Sequence, residues 1–267
     1  MTKQMTKPMT KPLNIEKLTL PVSAIHAMAA DQRSALLLLG LFLNEVNWLR
    51  KLLARAVSAT LDQPEGQANF ALTVLLTTTL VGKVHEGWER ITEGKLCNTI
   101  DKLPLTGELQ QLKTKITDRL SGKVFLRIRN SISVHYPKRR LDFAKLKDHL
   151  SDSDTVIYMS PQAYVGDVLS QISTLAGIEP LLALNPGSDY RSLESVWKEV
   201  LDVTEMYSEF VASTMVAMIT ARIPSYSAET ITIANVPELQ DDIMRFFVHP
   251  PSNLEELRQQ LPPKAPS

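Results

Sequence analysis

Apolar residues recur along most of this chain at steps of three and four rather than two, and that period restricts it to helices packed through one face. In residues 34–60 the set Leu39, Phe42, Val46, Leu49, Leu53 and Val57 forms one stripe. Val74, Val81, Val84, Trp88 and Ile91 form another in 69–93, after a reversal expected at a Pro64/Gly66 loop. Shorter helices are predicted over 106–122 and 123–135, separated at Gly122; Pro137 stops the run and 141–150 resumes it. After the turn at Asn185, Pro186 and Gly187, a long helix over 189–221 presents Trp197, Val200, Thr204, Tyr207, Val211 and Met218. Weak alternation in 155–159 predicts a short strand that forms a β-hairpin with the Tyr164 region. The fold class is therefore all-α, a helical bundle with that one hairpin.

Residues 1–12 read MTKQ, MTKP, MTKP and have no packing stripe, so residues 1–20 are expected to be a flexible tail. Residues 21–235 form one bundle domain. Pro250, Pro251, Pro262, Pro263 and Pro266 make 236–267 a surface segment, suited to a partner contact. A hydrophobic fraction of 44% excludes a disordered chain, and 29 Lys+Arg against 29 Asp+Glu exclude a generally basic nucleic-acid coat. The single cysteine, Cys97, cannot close an intramolecular disulfide, which fits a reducing compartment. The longest apolar run, 35–43, is about half of the ~20 residues a membrane span needs, and the N-terminus has no signal-like apolar core. A cytoplasmic chain without membrane contact is the expectation.

Charge concentrates in one place. Residues 119–149 hold Arg119, Lys123, Arg127, Arg129, Lys138, Arg139, Arg140, Lys145 and Lys147 against Asp142 and Asp148, an excess suited to a polyanion if the cations share a face. Arg127, Lys138, Arg139 and Arg140 are the candidate RNA-binding residues. A helical wheel at ~100° per residue puts Glu45 inside the apolar half of its helix, which holds Trp48, Leu41, Leu52, Leu38 and Leu49. A carboxylate there needs a cation or several donors, and Arg129 or another bundle-facing basic group is the expected partner. On the helix over 123–135, Val124, Ile128, Ile132 and His135 share a stripe, with Arg129 at its edge. Arg129 and His135 stand ~120° apart and ~9 Å along the axis.

The run Arg129-Asn130-Ser131-Ile132-Ser133-Val134-His135 resembles the signature of the HEPN superfamily, an arginine often followed by a polar residue and then, after four to six intervening positions, by a histidine. The segment from Asn44 to Leu49 is similar to an early-helix segment of some uncharacterised members. The resemblance implies a metal-independent endoribonuclease in which the ribose 2′-hydroxyl attacks the adjacent phosphate. His135 would move protons, Arg129 would neutralise charge on the phosphorus, Asn130 would orient substrate or histidine, and Glu45 would complete the catalytic set. It also implies a homodimer that brings two motifs together through the face carrying Arg129 and His135, and a toxin or anti-phage role with RNA, and an antitoxin or other protein, as partners. HEPN toxins silenced by nucleotidylation carry a tyrosine two residues after the histidine. Here Pro137 occupies that place and Tyr136 is adjacent, so that regulation is not carried over. The alternative is a non-catalytic helical module binding RNA or protein.

No cofactor or metal is expected. His85 and Glu89 stand at i and i+4, a spacing that can hold a metal, but no second pair joins them, and a surface contact is the expected role. Cys97 lacks an activating neighbour and reads as inert. No Gly-x-x-x-x-Gly-Lys, Gly-x-Gly-x-x-Gly or His-Glu-x-x-His occurs, which argues against nucleotide hydrolysis, Rossmann cofactors and zinc proteolysis. Trp48, Trp88 and Trp197 all fall on helical stripes and are expected in the core.

Overall fold

The computed structural model describes residues 10–56, 63–131, 157–159, 168–170, 173–175, 177–178 and 193–237. Three long helices carry the core: α2 (Ala30–Ala56), α3 (Pro64–Thr92) and α7 (Leu193–Arg222). Shorter ones are α1 (Val22–Ala27), α4 (Gly94–Ile100), α5 (Gly107–Leu120) and α6 (Lys123–Ser131). β1 (Thr10–Thr19) pairs antiparallel with β4 (Ser227–Pro237), and β2 (Ile157–Met159) pairs antiparallel with β3 (Val168–Ser170).

The helix boundaries have local causes. Pro64 stands at the first position of α3 rather than in a preceding loop, where its missing N–H removes nothing and its fixed φ starts the helix. The five threonines of α3 would weaken an isolated helix. Here Thr73, Thr77, Thr78 and Thr79 each donate a hydroxyl to a carbonyl three or four residues back, which lets Thr73 and Thr77 be buried without an orphan donor. Gly94, at φ +77°, makes the turn from α3 into α4, a backbone conformation open to glycine at no steric cost. Thr106 caps α5 by accepting from the Leu109 N–H at 3.3 Å.

α2 lies between α3 and α7 and runs antiparallel to both. Phe42 faces Gly87 and Glu45 meets Lys83 on the α3 side; on the α7 side Gly40 faces Met215, Ser208 bonds Asn47 and Glu205 meets Arg50. The line Leu39, Val46 and Leu53 of α2 is buried against Leu80, Val84 and Ile91 of α3 and Val203, Tyr207 and Val211 of α7 in one core. Trp88 anchors its centre, edge-on to Phe210 at 5.3 Å and tilted against Tyr207 at 6.0 Å, with its indole N–H donated to Thr117 of α5. α6 packs on α3 by burying Phe125 and Ile128.

Three further expectations change. The tail expected over 1–20 contains β1, whose register runs from Thr10 opposite Pro237 to Thr19 opposite Ser227. Its alternation sets Leu13 and Ile15 opposite Ile233 and Ile231 on one face, while Asn14 and Thr232 bond across the other at 2.7 Å. Trp48, expected in the core, is exposed, because α3 and α7 cover α2 only along its inner line. His85, expected on the surface, is buried beside Phe125. The strand expected within 155–159 is present as β2, but its antiparallel partner is β3, Val168–Ser170, rather than the Tyr164 region. The helix expected over 141–150, the stop at Pro137 and the proline-rich C-terminal stretch beyond residue 237 lie outside the described residues.

Candidate functional site

Phe125 and Ile128 point into the core, and the ~100° step per residue carries Arg129 onto the rim beside them. There the Arg129 guanidinium donates through Nη2 to Oε1 of Glu89 on α3, both side chains being roughly half exposed. One turn back along α3, His85 lies beneath the pair, its ring centroid 6.2 Å from that of Phe125. Its Nε2 is buried and has no hydrogen-bond partner among the described residues. Burial, and then the Arg129 charge, lower the pKa of His85 against the weaker pull of Glu89, so the ring is held neutral. The wheel that makes His85 and Glu89 neighbours stands, and Glu89 takes a cation from α6, Arg129, as its partner. Among the described residues no group of three or more His, Cys, Asp or Glu is placed to hold a metal ion.

Asn130 is exposed next to Arg129 in the last turn of α6, and Arg127 is exposed two residues before Arg129, ~200° round the helix from it. Three of the sequence-predicted residues therefore share the C-terminal end of one helix. His135, Lys138, Arg139 and Arg140 lie outside the described residues, His135 four positions past the last residue of α6.

Glu45 does not join this group. Its partner is Lys83, whose Nζ lies 3.1 Å from Oε2, and the pair is open to solvent at 42% for the lysine and 38% for the glutamate. Lys83 and Glu89 are six residues apart on α3, ~240° of rotation, so Glu45 and Arg129 meet different sides of that helix. The expected cation is found, but it is not Arg129. On the inner side, burial and then the Glu45 charge raise the pKa of the Tyr207 phenol, whose hydroxyl is buried without a hydrogen-bond partner among the described residues.

Cys97 fits its reading as an inert thiol. Burial raises its pKa first, then a 3.2 Å hydrogen bond to Asp101 and the charge of that carboxylate, against a smaller lowering by Lys113. A thiol shifted in that direction is a poor nucleophile. No helix among the described residues is long and apolar enough to cross a membrane.

No family model matches the chain, and no curated protein or solved structure does either.

Proposed function

We propose that this chain is a metal-independent endoribonuclease of the HEPN type, with Arg129 and His135 as its catalytic pair. The observation that carries the reading is the position of Arg129: on the solvent rim at the end of α6, next to the exposed Asn130, paired with a carboxylate that water also reaches. A phosphodiester arriving at the end of α6 meets a planar fork of donors, which suits a pentacoordinate phosphorus better than an ammonium.

In the reaction the 2′-oxygen bonds to phosphorus as its proton passes to a base, the P–O5′ bond breaks, and the 5′-oxygen takes a proton. A 2′,3′-cyclic phosphate and a 5′-hydroxyl result. His135, four residues beyond α6, supplies proton transfer near neutral pH. Asn130 orients substrate. Glu45 is left out of the machinery, since its charge is matched by Lys83.

The test is incubation of the purified protein with RNA in EDTA. Cleavage is expected to persist, to fall by roughly 10²-fold or more in His135→Ala, and to vanish when the scissile nucleotide carries 2′-deoxyribose. Arg129→Lys is expected to lose cleavage as well, because a point charge does not reproduce the fork. Efficient cutting of the deoxy-substituted strand, or absolute dependence on Mg²⁺, refutes the chemistry. Tight RNA binding without cutting establishes the binding module instead.

A further inference from the structure

His85 is buried at the contact of α3 with α6, under the Arg129–Glu89 pair, and the proposed reaction makes no use of it. The residue is 7% exposed, and its Nε2 has no hydrogen-bond partner among the described residues. Glu89 stands one turn further along the same face of α3, at i+4. Among the described residues two charges act on the ring: Arg129 of α6, which opposes a proton there, and Glu89 of its own helix, which favours one. The carboxylate is therefore contested. A neutral His85 leaves it to Arg129. An imidazolium donates from both ring nitrogens, and with Nε2 left unpartnered it would be a costly buried cation. Glu89 is the carboxylate at hand, so it follows the proton.

We propose that His85, Glu89 and Arg129 form a proton-controlled phosphate site. With His85 neutral, Glu89 occupies Arg129; with His85 protonated, Glu89 turns to the imidazolium and Arg129 takes a phosphate of a nucleic-acid backbone. The inference rests on the reading of Arg129 as a phosphate binder, but not on cleavage. Charge balance carries it. A phosphodiester that reaches Arg129 while His85 is neutral puts two anions, itself and Glu89, against one cation. With the imidazolium present the cluster holds two anions and two cations, so phosphate binding draws a proton onto His85. Linkage makes the effect reciprocal: acid tightens the phosphate, and the phosphate raises the pKa of the ring. In the free protein burial and Arg129 hold that pKa below the ordinary value of about 6.5. The extra affinity is therefore absent in alkali and grows as the pH falls below the raised value, by at most about tenfold per pH unit for one proton. Glu89 is a competitor built into the site, and the proton removes it.

The probe is a short single strand of DNA, which lacks the 2′-hydroxyl and stays whole, titrated into the full chain in EDTA from about pH 8 to about pH 5. Fluorescence anisotropy gives its affinity. The wild type is expected to bind more tightly as the pH falls, and His85→Gln to flatten that rise. Glu89→Gln, at a half-exposed position, removes the competitor and is expected to bind up to about fivefold more tightly than the wild type at pH 8, the weight of one exposed ion pair. Proton NMR of the His85 ring supplies a second reading that needs no histidine variant. The bound strand should raise its pKa, and Glu89→Gln should lower it in the free protein. A rise in affinity that survives intact in folded His85→Gln, a Glu89→Gln protein no tighter than the wild type at pH 8, or a bound strand that leaves the His85 titration unmoved overturns the proposal. Strand binding that depends on Arg129 but not on His85 refutes the proton control alone. Binding indifferent to Arg129→Ala at every pH refutes the phosphate reading itself, and the inference with it.

Discussion

Gly87 on α3 faces the Tyr207 hydroxyl so closely that a Cβ added there would collide with it, while Cζ of the same ring would stand 3.3 Å away and Cδ2 of Phe42 3.6 Å away. Tyr207 is fully buried between α2, α3 and Trp88, so its ring is hemmed in by core side chains. Gly87→Ala should gain about 1 kcal/mol from helix propensity and lose about 1–3 kcal/mol to overpacking, with the severity of this contact placing the net at about 1–2 kcal/mol destabilising. In a Tyr207→Phe background the obstructing oxygen is gone and only the tight ring contact remains, so the same alanine should be neutral within about 0.5 kcal/mol. Tyr207→Phe by itself removes a buried hydroxyl without a partner among the described residues and is expected to leave stability unchanged or raise it by about 1 kcal/mol. The coupling between the two sites is then about 1–2 kcal/mol, read as roughly 2–8 °C in Tm or from urea midpoints at constant slope. A stabilising Gly87→Ala, or additive single changes, refutes the packing argument.

Acidification should act through His85. Its pKa is lowered in the folded state, so the unfolded chain binds the extra proton first. Stability is unaffected above the unfolded value of about 6.5 and falls as the pH drops below it, with a slope of at most about 1.4 kcal/mol per pH unit for one group. Unfolding midpoints from pH 8 to 5 should show that limb, and His85→Leu should flatten it; an unchanged limb assigns the proton elsewhere. Glu45→Leu breaks an ion pair open to solvent, so the expected change is within about 1 kcal/mol, with RNA cleavage unaltered. A loss of activity in a folded Glu45→Leu protein would return Glu45 to the machinery.

Helix period is legible in the sequence because it is local: Leu39, Val46 and Leu53 declare the buried line of α2 without reference to any other element. Which part of a wide apolar arc is covered is not local. Leu41 and Trp48 share the arc with Leu49 and Leu53, and only the placement of α3 and α7 decides that the first two face water. β1 shows the same limit more sharply. Its Lys, Thr and Pro residues form no stripe, and its partner strand comes from the far end of the bundle, so pairing of Leu13 with Ile233 is not readable at the N-terminus. A signal is present in that partner strand, where Thr230, Ile231, Thr232 and Ile233 alternate with period two. His85 escapes a sequence reading for a related reason. Its i+4 neighbour Glu89 marks a rim, but α6, a helix three elements further along the chain, closes over the ring by burying Phe125.

The Arg129–Glu89 pair joins α6 to α3, and it bears two readings that differ in what they require of the cation. As a tether it needs only a positive charge near a half-exposed carboxylate, a contact worth up to about 1 kcal/mol and open to lysine as well as arginine. As the resting state of a phosphate site it needs the guanidinium, and the weakness of the pair becomes an advantage. Glu89 fixes Arg129 in place before substrate arrives, and a phosphodiester that engages the fork displaces it at little cost. Arg129→Lys therefore separates the readings: it keeps the tether and stability under both, and it abolishes cleavage only where the planar fork is the working part.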